Sequence, residues 1–242
     1  MPARTLLPVD QAVQMLRDMA SLQKSDTDIR KDLARFGIHA DRPVIGLRVP
    51  QIRLVARRIG RNQALAEELW ETGLQEARFL ASMIADPILI APGTMDRWAG
   101  DFDNWAVCDA CAYSLFDQSP HAGGKIRQWA EDEREFVRRA AFAMVAATAI
   151  HDKRARDQAF LDLLPLIESH SGDNRNFVKK AVNWALRNIG KRNAALLAAA
   201  VDSARRIHEK NLPAARWIAS DALREFKKTA DRWKQARLGT RN

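Results

Sequence analysis

Residues 134–145, Arg-Glu-Phe-Val-Arg-Arg-Ala-Ala-Phe-Ala-Met-Val, align without a gap to residues 175–186, Arg-Asn-Phe-Val-Lys-Lys-Ala-Val-Asn-Trp-Ala-Leu, at an offset of 175 − 134 = 41. Both copies carry apolar residues at helical spacing, with a pair of cations between them. A period near 40 residues is that of HEAT-like helical pairs, which bury their apolar faces by stacking on one another. Two weaker echoes flank the pair: Glu76-Ala77-Arg78-Phe79-Leu80-Ala81-Ser82 and Ala214-Ala215-Arg216-Trp217-Ile218-Ala219-Ser220. In this alignment Arg78, Arg139, Lys180 and Arg216 occupy one equivalent place, near the start of the second helix of each pair.

Outward from the repeat, the text reads as helical segments punctuated by Gly and Pro. From Pro50 onward these are 50–59, 62–72, 75–85, 93–99, 103–117, 121–131, 134–148, 153–169, 174–189, 192–209 and 213–233, with a break or kink at Pro165 in the eighth. Two more helices are expected at 9–23 and 26–35. Residues 37–50 read as a loop; the Val44-Ile45-Gly46-Leu47 run resembles a strand, but Pro43 and Gly46 and the lack of a partner strand argue against one. The expected fold is all-α, a right-handed α-solenoid of HEAT-like helical repeats in a single domain over 1–242. A basic tail, frayed from about residue 227, closes it.

Lys and Arg exceed Asp and Glu by 39 − 30 = 9 in 242 residues, and the sequence pI is about 10.0. That excess favours a polyanionic partner, nucleic acid or an acidic membrane surface. No run of about eighteen apolar residues could span a bilayer and the first residues do not form a signal peptide, so a cytoplasmic protein is expected, nucleoid-associated if bacterial. The only cysteines, Cys108 and Cys111, read as small buried thiols, and the five histidines are scattered. No metal site and no cofactor are expected from them.

Trp105 and Asp109 stand four apart in a segment free of Gly and Pro, so a helix places indole and carboxylate on one face. Asp109 also falls in the register of the cations, 31 residues after Arg78 and 30 before Arg139. In a stacked repeat, equivalent positions line one surface. A row of cations there would hold phosphates without reading sequence. A carboxylate in such a row repels phosphate unless it stabilises positive charge that develops in a reaction, as on a sugar losing its base. Indoles such as Trp105 and Trp184 could pack against deoxyribose or a cationic base.

Three motifs carry a resemblance: Trp105-x-x-x-Asp109; Phe136-Val137-Arg138-Arg139-Ala140-Ala141; and the run from Phe177 to Arg187 that contains Lys179, Lys180 and Trp184. Over roughly 25–225 the chain resembles the AlkD-like DNA alkylation repair family, HEAT-like glycosylases that remove cationic N3- and N7-alkylated purines. The resemblance implies that Trp105, Asp109 and Trp184 cradle the backbone of the lesion and that Arg139 holds phosphate. Arg78, Arg138, Lys179, Lys180, Arg187 and Arg216 are the further DNA-binding candidates. Family enzymes usually carry a tyrosine on an N-terminal helix, whereas here the only tyrosine is Tyr113 and the first thirty residues hold no aromatic. The expected partner is alkylated duplex DNA, bound by a monomer. A catalytically silent binder of damaged or branched DNA, or a protein-binding scaffold, are the alternatives.

Overall fold

The structure, a computed structural model, describes residues 7–21, 34–35, 38 and 44–239. The expected helix at 26–35 lies almost wholly outside the described residues. Every described element is helical, and the chain divides into two compact units, Met1–His121 and Ala122–Asn242.

The first unit contains α1 (Val9–Ser21), α2 (Val49–Ile59), α3 (Gln63–Glu71), α4 (Gln75–Ile84), α5 (Pro92–Gly100) and α6 (Trp105–Ser114), followed by a 3-10 turn at Phe116–Gln118. Their starts have local causes. The Asn62 side chain accepts the Leu65 N–H at 3.1 Å, and that of Asn104 accepts the N–H groups of Ala106 and Val107 at 3.0 and 3.1 Å. Both satisfy amides that an α-helix leaves open at its N-terminus. Pro50 and Pro92 occupy first turns, where a missing N–H costs nothing. Gly73, at φ 69°, makes the tight turn that returns α4 along α3.

The core of this unit is aromatic. The indoles of Trp70 and Trp98 stack at 4.2 Å with an interplanar angle of 3°, and Phe102 and Phe116 pack around them. The 44–48 segment is not a strand. It is held as a loop by the Glu76 carboxylate, which accepts the N–H groups of Ile45, Gly46 and Leu47 at 3.0, 2.6 and 3.2 Å. Gly46 sits at φ 102° within that wrap, a conformation closed to most side chains.

The second unit contains α7 (Ala122–Ala130), α8 (Glu135–His151), α9 (Asp157–Leu161), α10 (Leu164–His170), α11 (Asn176–Gly190), α12 (Ala194–Glu209) and α13 (Pro213–Gly239). The break in the 153–169 segment falls just before Leu164, with Pro165 in the first turn of α10. The tail expected to fray from about residue 227 lies within α13, which is helical as far as Gly239 and buries Ala222, Phe226 and Thr229.

At the centre of this unit, α8 and α11, the two quoted repeat copies, pack side by side. Ala140, Ala141, Ala143, Ala146 and Ala147 are fully buried on α8, and their small size permits close helix approach. Phe136 and Phe177, equivalent in the two copies, meet at 5.4 Å. The stacked-repeat reading is thus realised as direct contact between the same position in successive copies.

Candidate nucleic-acid interface

Asp109, Arg139 and Lys180 each stand four residues after the first residue of their helix, and Arg78 and Arg216 stand three after it. The register read from the sequence is therefore a structural one: each of these side chains leaves the first turn or so of a second helix. What differs among them is exposure.

Arg78 is only 5% exposed. Its guanidinium lies 4.7 Å above the Trp70 ring, donates through Nη1 to the Asp101 carbonyl at 3.1 Å, and pairs with the Asp101 carboxylate at 3.4 Å. Asp101 also accepts the Trp70 indole N–H at 2.8 Å. The expectation of Arg78 as a cation on an open face is corrected: α4 is the central helix of its unit, and this arginine fastens it to the chain between α5 and α6.

Arg139 is also interior, 6% exposed, with Nη1 donating to the Phe177 carbonyl at 2.6 Å. It braces the first turn of α11. Beside it, Arg138 pairs with Asp173 at 2.8 Å, and Asp173 also binds Arg175 at 2.6 Å. Burial would raise the Asp173 carboxyl, but the hydrogen bonds from Arg175 and Arg138 outweigh it and hold the group down at about 2. Arg187 makes a further pair with Asp221 at 2.9 Å; Asp221 also accepts from Asn183 at 2.7 Å and is bound by Arg224. The cations of Arg138 and Arg187 are thus balanced within the fold.

What remains accessible is narrower. Lys180 and Arg216 are exposed, and among the described residues Arg216 reaches the Asn211 side chain alone, at 3.2 Å. Lys179 sits 5.1 Å over the ring of Trp217, an indole 40% exposed at the start of α13. Trp184, one turn beyond Lys180 on α11, is half-buried. The second unit therefore presents two lysines, an arginine and two indoles on neighbouring helices.

In the first unit, Trp105 opens α6 and Asp109 follows one turn later, both half-buried. Another face of α6 turns inward, with Val107, Cys108, Cys111 and Ala112 buried. Burial pushes the Cys111 thiol far above its usual range, opposed only in part by the Arg78 cation, so this group stays a thiol. Among the described residues no group of three His, Cys, Asp or Glu is placed to hold a metal ion, and no helix is long and apolar enough to cross a membrane.

The family model for the DNA alkylation repair enzyme matches residues 19–226. The chain belongs to that family. A solved structure described as a new family of proteins related to the HEAT-like repeat DNA glycosylases with affinity for branched DNA structures aligns with a TM-score of 0.70. The alignment covers 90% of this chain and 95% of the other, at 22% sequence identity. At that identity the likeness speaks for the fold, which is the all-α fold of HEAT-like repeats. No curated protein matches the chain.

For this member of the DNA alkylation repair family, two residues that matter to the surface were not singled out from the sequence. Trp217 was legible in the echo that places it directly after Arg216. Asp173 carries no motif, and only its position two residues before the conspicuous Arg175 hints at it.

Proposed function

We propose that the protein binds duplex DNA and hydrolyses the N-glycosidic bond of cationic N3- or N7-alkylated purines. The observation that carries this reading is Asp109: a carboxylate sharing a helix face with Trp105, at a register position that elsewhere holds cations, in a chain of the DNA alkylation repair family. A cationic alkylpurine departs as a neutral base and takes the bonding pair with it. The sugar left behind is positive at C1′, where Asp109 would stabilise the charge and orient water. The water oxygen bonds to C1′ and its proton passes to the carboxylate or to solvent. Trp105 would border the sugar, and in the second unit Lys179, Lys180 and Arg216 would hold phosphates. Arg139 would act through the first turn of α11 that it braces.

The test is direct: duplex DNA carrying N7-methylguanine is incubated with the protein, and free base is measured. Release above the spontaneous rate supports the proposal; binding without release supports the second reading, a non-catalytic DNA binder. That alternative draws on the similar protein described as having affinity for branched DNA and on the absence of an aromatic in the first thirty residues. A four-way junction that competes better than linear duplex would favour it.

A further inference from the structure

Helix α2, Val49-Pro50-Gln51-Ile52-Arg53-Leu54-Val55-Ala56-Arg57-Arg58-Ile59, holds three arginines and no acidic residue. Its buried face is Ile52, Val55 and Ala56. Arg53, Arg57 and Arg58 are exposed, and among the described residues no ion pair or hydrogen bond engages their side chains. This sets them apart from the arginines already described. Arg61, just beyond the helix, donates to the carbonyls of Met83 and Ala85, as a structural arginine does. At 1.5 Å rise per residue, Arg53 and Arg57 lie about 6 Å apart along one face and Arg58 about 1.5 Å further on. Duplex DNA presents one charge per ~1.7 Å of its axis, so several phosphates come within reach of such a face at once.

We infer that the Arg53, Arg57 and Arg58 face of α2 is a second phosphate-binding surface, which grips the backbone of duplex DNA away from the reacting nucleotide. It rests on the DNA-binding part of the function proposed above. Two features favour DNA over an acidic membrane. An interfacial helix must sink an apolar face into lipid, whereas the apolar face of α2 lies in the core and, of its large hydrophobic side chains, Leu54 alone is exposed, at 45%. All three cations are arginine, whose planar fork matches phosphate oxygens in pairs.

The experiment compares wild type with R53Q/R57Q/R58Q, and with R57Q alone as a milder change. Affinity for undamaged duplex is followed against salt, alongside melting temperature and binding to phosphatidylserine-containing vesicles. The expected result is an unchanged melting temperature, at least tenfold weaker DNA binding near 0.1 M salt, and a log–log salt slope shallower by about 2 to 3 for the triple variant and about 1 for R57Q. Equal affinity and slope in wild type and variants, with wild type binding DNA, overturn the inference alone. Vesicle binding lost in the triple variant while DNA binding persists overturns it in favour of a membrane surface. No DNA binding by wild type overturns both this inference and the proposed function. DNA binding that depends on α2, without release of N7-methylguanine, removes the glycosylase and leaves the surface standing.

Discussion

Asp109→Asn removes an anion while keeping shape and most hydrogen bonding, so it separates chemistry from scaffolding. Release of N7-methylguanine in single turnover should fall about a hundredfold, the scale of losing one electrostatic stabiliser of a transition state. Affinity for undamaged DNA should hold or tighten slightly, since under the proposed function a negative charge would leave a surface that faces phosphate. A well-folded variant that works at the wild-type rate would reduce Asp109 to a structural residue. Two cations in the same register should separate in the opposite sense. Lys180→Ala, at an exposed position, should flatten the salt dependence of DNA binding and leave the melting temperature alone. Arg139→Ala should instead lower the melting temperature, because it strips the Phe177 carbonyl of its buried donor. If Arg139→Ala melts like wild type, its bond to Phe177 is incidental.

At the scale of helices, Gly190 ends α11 where α13 crosses it closely. A Cβ added there would lie 2.4 Å from Phe226 Cε1 and 3.1 Å from the Ala200 Cβ, and Phe226 is itself buried. Gly190→Ala gains about 1 kcal/mol of helix propensity, but overpacking of a closed core costs about 1–3 kcal/mol and should win. Thermal melts should show the loss, and a second change, Phe226→Leu, should recover part of it. The Asp173 knot joins the chain before α11 to Arg138 on α8. Its carboxyl is depressed in the folded state, so its contribution is complete above its ordinary value of 3.8 and is lost as pH falls through about 2. Asp173→Asn should cost about 3 kcal/mol near neutral pH, by leaving Arg138 and Arg175 uncompensated. It should also decline less steeply than wild type when melting temperatures are followed from pH 4 to pH 2. Helix positions and register were legible because first-turn prolines, asparagine caps and apolar spacing are local. The burial of Arg78 and Arg139 was not, because each donates to a distant backbone carbonyl, that of Asp101 and that of Phe177, 23 and 38 residues away, and a carbonyl has no signature in sequence; the Asp101 carboxylate that also pairs with Arg78 lies equally far along the chain.

For the whole molecule, the count of 39 Lys and Arg side chains overstates what a polyanion can grip. Arg78, Arg138, Arg187 and Arg206 are paired with Asp101, Asp173, Asp221 and Glu168, and each pair is already neutral to a partner. The cations left on accessible first-turn positions and on α2 are Lys179, Lys180, Arg216, Arg53, Arg57 and Arg58. If each meets one phosphate, counterion release sets the slope of log affinity against log salt near −5, since each neutralised phosphate contributes about −0.9. Total charge would predict a steeper slope, and a protein-binding scaffold would show weak DNA affinity even at low salt. Under the proposed function the slope should also be nearly the same for damaged and undamaged duplex, because phosphates would hold the molecule while Asp109 and the indoles would act on a single nucleotide. Titrations from 0.05 to 0.3 M salt decide the matter. A slope shallower than about −2 would mean that these six cations serve solubility, and a slope that changes with the lesion would mean that the damaged nucleotide recruits additional phosphate contacts.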